Sequence, residues 1–228
     1  MPEALRSFLR APDTGRRLAR CVTGLVLCGI GFSLLVQADL GLDPWDVFHQ
    51  GVSDRTGLPI GVVAIITGFV LLLVWIPLRE RPGVGTILNA VLFGSVMDLV
   101  LPRLPEPGGA VQEWSMLLGG IAVAGVGVGL YIGAGLGPGP RDGIMTGVAR
   151  RWGSVRLVRT GIELGALAVG WALGGTVGVG TVVFALTIGP VVQLTLGLLS
   201  LPPRGEPLPP RWARVRPRGA SPAADPVR

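Results

Sequence analysis

The chain has 228 residues, of which 49% are apolar and only 15% are charged, and its mean hydropathy is +0.60. A soluble globular domain carries about 25% charged residues, so this composition argues against a soluble domain and indicates a membrane protein. The net charge is +6, and all twenty basic residues are Arg. A nucleic-acid partner is the other interpretation of so basic a chain. We do not expect one, because positive-inside topology accounts for the same charges.

Six apolar runs are long enough to cross, as helices, a bilayer core that is about 30 Å thick. They predict an all-α membrane protein with six transmembrane helices. The first run has an alternative interpretation as a signal peptide, because a basic segment precedes it and Val36-Gln37-Ala38 resembles a cleavage site. The predicted spans are Leu18–Ala38, Leu58–Leu78, Gly83–Leu101, Trp114–Ala134, Val155–Leu173 and Gly178–Leu199.

The charges of the connecting segments predict how the spans are oriented. Basic and non-basic segments alternate, so that segment 39–57 is acidic whereas segment 136–156 carries four Arg. Basic segments stay in the cytoplasm, and both termini are therefore predicted to be cytoplasmic, in a bacterial cytoplasmic (inner) membrane. The tail after Leu201 is rich in Pro, Arg and Ala and is predicted to be disordered.

The sequence contains an internal repeat. Residues 24–57 and 120–153, offset by 96 positions, are identical at thirteen positions. Each copy reads as a span, a short polar helix and two further spans, and an odd number of spans makes the second copy enter the membrane from the other side. Many secondary transporters share this inverted-repeat plan. The predicted segments are a basic cytoplasmic segment 1–17, a first repeat 18–101, an extracellular linker 102–113, a second repeat 114–200 and a cytoplasmic tail 201–228.

A short helix is predicted after the first span of each repeat, at 44–56 and at 140–152. Pro44 and Pro140 suit the first helical position, and Asp43 can cap the first of the two helices. Helices of this size are about 20 Å long, which is too short to span a bilayer. Each is therefore either re-entrant or lies flat in the interface.

The turns that open these short helices are the predicted substrate site. One interpretation of the aspartate pair is that it only stabilises the helix termini. The other interpretation places two half-helix N-termini around one substrate, and the nearby glycines favour it, because exposed backbone is tolerated at depth only around a cavity. The candidate substrate-binding residues are Asp43, Asp46, Gly137, Gly139, Arg141 and Asp142.

Three other acidic residues, Asp39, Asp98 and Glu163, are candidates for ion or proton coupling. Ionisable side chains inside spans are costly and usually face a cavity or a partner. Glu163 lies one helical turn from Arg159, so a local ion pair is an alternative explanation for it, and Asp98 is close enough to the extracellular end to reach the interface. His49, on the first short helix, is predicted to be exposed at the interface, and the alternative is a pH-sensitive group.

No zinc motif, nucleotide-binding loop, haem signature or nucleophile–base arrangement occurs in the sequence. We therefore predict no catalytic residue, metal or cofactor. Cys21 and Cys28 lie on one face of the first span and are predicted to be small packing residues.

Four segments resemble the bacterial YczE-like membrane proteins, within the broader YitT-type group. They are Gly41–Asp46, Trp75–Arg79, Arg81–Thr86 and Gly135–Gly143. The resemblance covers about residues 18–200, because the motifs recur in order across both repeats. It implies a multi-pass membrane protein and supplies neither a substrate nor catalytic residues.

These observations predict a small transporter or permease, and not an enzyme, with a substrate site between the inverted repeats. Its expected partners are the lipid bilayer and an unidentified small molecule or ion. A homodimer is also expected, because one unit has only six spans. The alternative function is that of a non-transporting accessory protein that binds lipid or a partner protein, with the short helices lying flat in the interfaces.

Overall fold

The computed structural model describes residues 13–202, and this part of the chain is helical without any strand. The predicted all-α class is therefore confirmed. Residues 1–12 of the predicted N-terminal basic segment and residues 203–228 of the predicted disordered tail lie outside the described residues. The described helices are α1 Thr14–Ala38, α2 Pro44–Thr56, α3 Ile60–Leu78, α4 Val84–Val100, α5 Ala110–Gly133, α6 Pro140–Trp152, α7 Val155–Leu173 and α8 Val179–Leu199, with a 3-10 turn Leu101–Arg103 after α4.

Five of the described helices are long and apolar enough to cross a membrane, namely α1, α3, α4 with its 3-10 turn, α5 and α8. They correspond to five of the six predicted spans. Helix α7 has 19 residues, but Arg156, Arg159 and Glu163 interrupt its apolar sequence. The sixth span therefore stays a prediction.

Helices α1 and α5 form the centre of the fold and run antiparallel. A Cβ placed on Gly24 would lie 2.6 Å from the carbonyl oxygen of Gly127, and one placed on Gly31 would lie 2.8 Å from that of Gly120. Only residues as small as glycine allow two helix backbones to approach this closely. The 96-residue offset relates the two contacts to each other, because Gly24 corresponds to Gly120 and Gly31 to Gly127.

The two repeats, 18–101 and 114–200, are called the first and second halves below. The last long helix of each half begins against a turn of the other half. The backbone N–H of Gly85, at the start of α4, donates to the carbonyl of Leu136 at 2.9 Å. The backbone N–H of Gly180, at the start of α8, donates to the carbonyl of Leu40 at 2.6 Å. These two bonds hold the turns that precede α6 and α2, and each half thus positions the candidate residues of the other.

The short helices also pack across the halves, α2 against α7 and α6 against α3. Trp75 of α3 is 2% exposed, and its indole N–H donates to the carbonyl of Pro140 at 2.9 Å. Gly170 of α7 lies directly on the backbone of α2 at Val47. The packing of the halves is not identical, because Trp171, the counterpart of Trp75, is 69% exposed.

Candidate functional site

The first turns of α2 and α6 meet in a cluster of charged and aromatic side chains. The Nη2 atom of Arg141 lies 3.9 Å from Oδ1 of Asp46 and 3.5 Å from both ring nitrogens of His49. The guanidinium lies over the rings of Trp45 and Phe93, 5.1 and 5.6 Å from their centroids. A cation from the second half thus sits in the acidic turn of the first half.

The turn that carries Arg141 runs along α4 toward the middle of that helix. Successive contacts pair Gly137 with Thr86, Gly139 with Asn89, and Arg141 with Phe93. Between Thr86 and Phe93 an α-helix rises by about 10 Å. The guanidinium therefore lies about halfway along α4 and well away from its ends.

Asp43 and Asp46 have different hydrogen-bonding environments. Asp43 caps α2 as predicted, since its carboxylate accepts from the N–H groups of Trp45 and Asp46 at 3.2 and 3.3 Å. The Oδ1 atom of Asp46 lies 3.0 Å from Nδ1 of His49. Its Oδ2 atom is buried and has no hydrogen-bond partner among the described residues. Leaving such an oxygen unpaired costs about 1–3 kcal/mol, so this carboxylate has capacity for a ligand or a proton.

Burial shifts the proton affinities of this cluster. It raises the pKa of Asp43 and that of Asp46 above the usual range of a carboxyl group, and the Arg141 guanidinium opposes both shifts. The carboxylate of Asp46 further raises the pKa of Asp43. Burial also lowers the pKa of His49, and here the positive charge of Arg141 acts in the same direction. The charge on each group thus depends on the others.

The prediction that His49 is exposed at the interface is wrong. His49 is 0% exposed, and the guanidinium of Arg141, from the other half, lies against its imidazole. The spacing of three residues between Asp46 and His49 places both on one helix face, and this was the available sequence signal. Trp45 and Phe93 were also missed, because aromatic residues beside or within apolar runs give no sign of what they face.

The turn that opens α6, in the second half, contains Gly137, Gly139 and Asp142. Gly137 has φ +121° and packs on Gly83 and Thr86. Gly139 precedes α6, and a Cβ placed on it would lie 3.2 Å from Oδ2 of Asp142. Burial raises the pKa of Asp142, against the effect of the nearby Arg159 and Arg141 guanidinium groups.

The three coupling candidates make other contacts. Asp39 is exposed and ends α1 in a left-handed conformation, with φ 51°. Oδ1 of Asp98 accepts from the backbone N–H of Gly61 at 2.7 Å, in the first turn of α3. Glu163 accepts from Arg159 at 2.8 Å, and this confirms the local ion pair. Of the three, only Glu163 is close enough to Asp142 to affect its pKa.

Two apolar grooves flank Trp45 on the outer side of α2. One, of about 400 Å³, lies between α2 and α3, and its lining includes Phe48, Ile66 and Val70. The other, of about 210 Å³, lies between α2 and α7. Ile66 and Val70 are half exposed, so the larger groove opens on the apolar outer surface.

The comparisons with known proteins place the chain in a family. The model of a family of unknown function (DUF6198) matches residues 15–196, which include both repeats. The chain belongs to DUF6198. The match leaves only the two termini of the chain outside DUF6198, so every residue of the candidate site lies within it.

Curated relatives of this DUF6198 chain cover most of its length. An "Uncharacterized protein" of Haemophilus influenzae is 38% identical over 177 residues, which are 77% of this chain and 81% of the relative. The "Uncharacterized membrane protein YczE" of Bacillus subtilis is 36% identical over 183 residues, which are 76% of this chain and 82% of the relative. The predicted YczE-like family is thus confirmed, and the chain is a membrane protein. No solved structure matches it.

Proposed function

We propose that this DUF6198 chain is a small transporter or permease with its substrate site between two inverted repeats. One observation carries the proposal: the N-termini of two short helices, one from each half, converge on Asp46 and Arg141 about halfway along α4. Secondary transporters build midplane sites from such half-helix termini. The substrate is a small molecule or ion that meets both turns.

The burial of this cluster supports a functional role. A charged side chain in the middle of a bilayer costs about 2.5–3.5 kcal/mol on insertion scales, and such residues usually face a cavity or a partner. Packing alone does not require them, since apolar residues of similar volume stabilise a buried site at least as well as an ion pair. The Oδ2 atom of Asp46, which has no hydrogen-bond partner within residues 13–202, supports the same conclusion, because a ligand or a proton would satisfy it.

The membrane arrangement belongs to the same proposal. We place α7 as the sixth span, the short helices as re-entrant, and both termini on the cytoplasmic side of a bacterial inner membrane. The antiparallel crossing of α1 and α5 and the reciprocal contacts of Leu40 and Leu136 support two inverted units. A second copy of the chain is proposed to cover the exposed surface of α7 and α8, and the mass of the purified protein in a lipid nanodisc tests this.

Cysteine accessibility tests the transporter proposal. Cys21 and Cys28 are buried and free. Replacing both with Ala gives a background protein into which a single cysteine is introduced at position 46 or at position 142. A membrane-impermeant maleimide applied to cells and to inside-out vesicles should reach the two positions from opposite sides. Ser154→Cys, at an exposed position beside α6, is the surface control. The proposal fails if positions 46 and 142 both label from one side as readily as position 154.

The apolar groove favours a second candidate function, that of a non-transporting accessory protein that binds lipid. The groove between α2 and α3 has the size and the apolar lining that suit an acyl chain. Under this function, mass spectrometry of the purified protein should detect a retained lipid that Thr67→Trp displaces. The cysteine labels at positions 46 and 142 should then show no access from opposite sides.

A further inference from the structure

Asp43 and Gly139 occupy equivalent positions in the two repeats, 96 residues apart. Each immediately precedes a proline-initiated short helix. Their backbones have nearly the same conformation, with φ −66° and ψ 158° at Asp43 and φ −64° and ψ 159° at Gly139. The two helix N-termini therefore differ in the side chain at this position and very little in the backbone geometry.

In the first repeat, the chain supplies its own carboxylate to the helix N-terminus. The carboxylate of Asp43 accepts from the N–H groups of Trp45 and Asp46. In the second repeat, the corresponding N–H groups belong to Arg141 and Asp142, and the N-cap residue, Gly139, has no side chain to cap them. The first repeat thus contains the carboxyl group that the second repeat lacks at the corresponding position.

Polar atoms surround the place that a side chain at position 139 would take. A Cβ placed on Gly139 would lie 3.2 Å from Oδ2 of Asp142, 3.3 Å from the hydroxyl oxygen of Tyr131 and 3.5 Å from Oδ1 of Asn89. Tyr131 is only 3% exposed, and its hydroxyl has no hydrogen-bond partner in the described part of the chain. Because buried hydroxyls are rarely left unpaired, this O–H is available as a donor to a ligand at the N-terminus of α6.

We propose that the N-terminus of α6 binds the carboxylate of a short monocarboxylic acid, in the place that the Asp43 side chain occupies in the first repeat. This inference rests on the proposed function, because it names the substrate class of the same site. The bound carboxylate would accept from the N–H groups of Arg141 and Asp142 and from the hydroxyl of Tyr131. Since three side chains lie within 3.5 Å of the Cβ position on Gly139, only a short acid fits.

A proton accompanies the anion in this arrangement. The substrate carboxylate would lie beside that of Asp142, and two carboxylates in contact cannot both stay ionised. The charged and titratable groups that face Asp142 are Arg141 on its own helix, Tyr131 on α5, and Arg159 with Glu163 on α7. The charges of Arg141, Arg159 and Glu163 do not remove the repulsion between the substrate carboxylate and that of Asp142. Asp142 therefore takes up one proton as the acid binds. Binding is therefore tighter at lower pH.

The experiment is thermal unfolding of the purified full-length chain with acetate as the probe. Acetate should raise the unfolding temperature, whereas acetamide, which has nearly the same shape and no charge, should not. Gly139→Asp, which ties a carboxylate to the site, should abolish the acetate effect. Tyr131→Phe, which removes one hydrogen-bond donor, should weaken acetate binding about tenfold. The acetate effect on the wild type should grow as the pH falls.

Asp43→Gly provides an internal control, because it removes the side-chain carboxyl group at the position that Gly139 occupies in the second repeat. This variant should unfold at a lower temperature than the wild type and gain more than the wild type from acetate. The inference is overturned if Gly139→Asp responds to acetate as the wild type does, or if acetamide acts equally well. It is also overturned if sodium chloride alone reproduces the stabilisation, because the oxygen atoms around Gly139 would then bind a cation.

The two proposals fail in different ways. If positions 46 and 142 label from one side while acetate still stabilises the chain, the carboxylate site exists in a protein that does not transport by the proposed route. If the two positions label from opposite sides but acetate has no effect, the transporter carries another substrate.

Discussion

The guanidinium of Arg141, on the second short helix, lies 3.9 Å from Oδ1 of Asp46, on the first. Their side chains are 24% and 1% exposed, so the pair is largely withdrawn from solvent. The attraction between two such charges is much stronger than that at a protein surface. The charge state of this pair therefore influences how the two halves are held together.

The first prediction concerns the coupling of this pair. Asp46→Asn or Arg141→Gln alone removes the opposite charge from beside a largely buried partner, and we expect each to cost about 3 kcal/mol of stability. The double variant should cost less than the sum by about 1–3 kcal/mol. Unfolding of the four proteins in detergent measures this coupling.

The pair Arg159–Glu163 is the matched control for this comparison of single and double variants. It lies within one helix, and its side chains are 59% and 30% exposed. Exposed pairs of this kind contribute about 0–1 kcal/mol, so the coupling there should be close to zero. Additive losses at Asp46 and Arg141 would contradict a stabilising contact between the halves.

The second prediction concerns the central crossing of α1 and α5. A Cβ on Gly127 would lie 2.7 Å from backbone atoms of Gly24 and Cys28. Gly127→Ala should therefore destabilise the protein by about 1–3 kcal/mol, as overpacked cores do. Gly119→Ala, on the same helix with nothing within 4 Å, should be neutral or slightly stabilising. Equal unfolding temperatures for the two variants would show that the crossing is looser than described.

The third prediction concerns Asp98, whose Oδ1 accepts from the backbone N–H of Gly61 at 2.7 Å. If this contact is its only role, Asp98→Asn should keep most of the stability, because an amide oxygen is also an acceptor. Asp98→Leu should lose about 1–2 kcal/mol, as in the loss of a helix cap. Uptake of labelled acetate by proteoliposomes separates this role from coupling. An Asp98→Asn protein that is stable but has lost proton dependence would restore Asp98 as a coupling residue.

The fourth prediction concerns the dependence of stability on pH. Burial, and then the Asp46 carboxylate, raise the pKa of Asp43 in the folded protein above that of the unfolded chain. The folded state thus keeps a proton that the unfolded state releases from about pH 4 upward. This contribution to stability is complete below that pH and is lost as the pH rises through the folded-state pKa, by at most about 1.4 kcal/mol per pH unit.

Asp43→Asn isolates this effect, because asparagine caps a helix about as well as aspartate but does not titrate. The loss of stability with rising pH should become shallower in this variant, as measured by unfolding temperature at several pH values. Asp54→Asn, at an exposed position of α2, should leave the slope as it is in the wild type. An unchanged slope in Asp43→Asn would contradict a raised pKa at Asp43.

The fifth prediction concerns α7, which carries Arg156, Arg159 and Glu163. If α7 spans the membrane, its arginines extend toward the cytoplasmic interface. Single cysteines at the exposed positions Ser154 and Ala172 should then label from the cytoplasm and from the outside, respectively. Labelling of both from the cytoplasm would make α7 a surface helix and contradict the inverted-repeat arrangement.

The sequence predicted the helices of this chain closely. The short helices begin at Pro44 and Pro140 and end at Thr56 and Trp152, as predicted. Proline at the first helical position and glycine after the last one determine these bounds through local backbone preferences, and Gly57 indeed has φ +72°.

The contacts between distant segments could not be found in this way. The sequence analysis placed the turns that carry Asp46 and Arg141 in one predicted site. No sequence pattern indicated that Arg141 stacks on Phe93 or that His49 is buried. Burial is decided by which helix covers which face. That choice depends on how two halves pack across the α1–α5 crossing, and local periodicity carries no information about it.

The amino-acid sequence by itself thus indicated the family, the helical class, the position of each helix and the internal repeat, because lipid burial and backbone preferences act residue by residue. Only the tertiary structure decided that each half holds the other's turn, that Arg141 reaches Asp46, and that polar atoms of Asp142, Tyr131 and Asn89 surround Gly139, at the position that Asp43 occupies in the first repeat. These depend on backbone and side-chain groups that are far apart in the sequence meeting in space, and packing, which is a property of the whole fold, fixes such meetings.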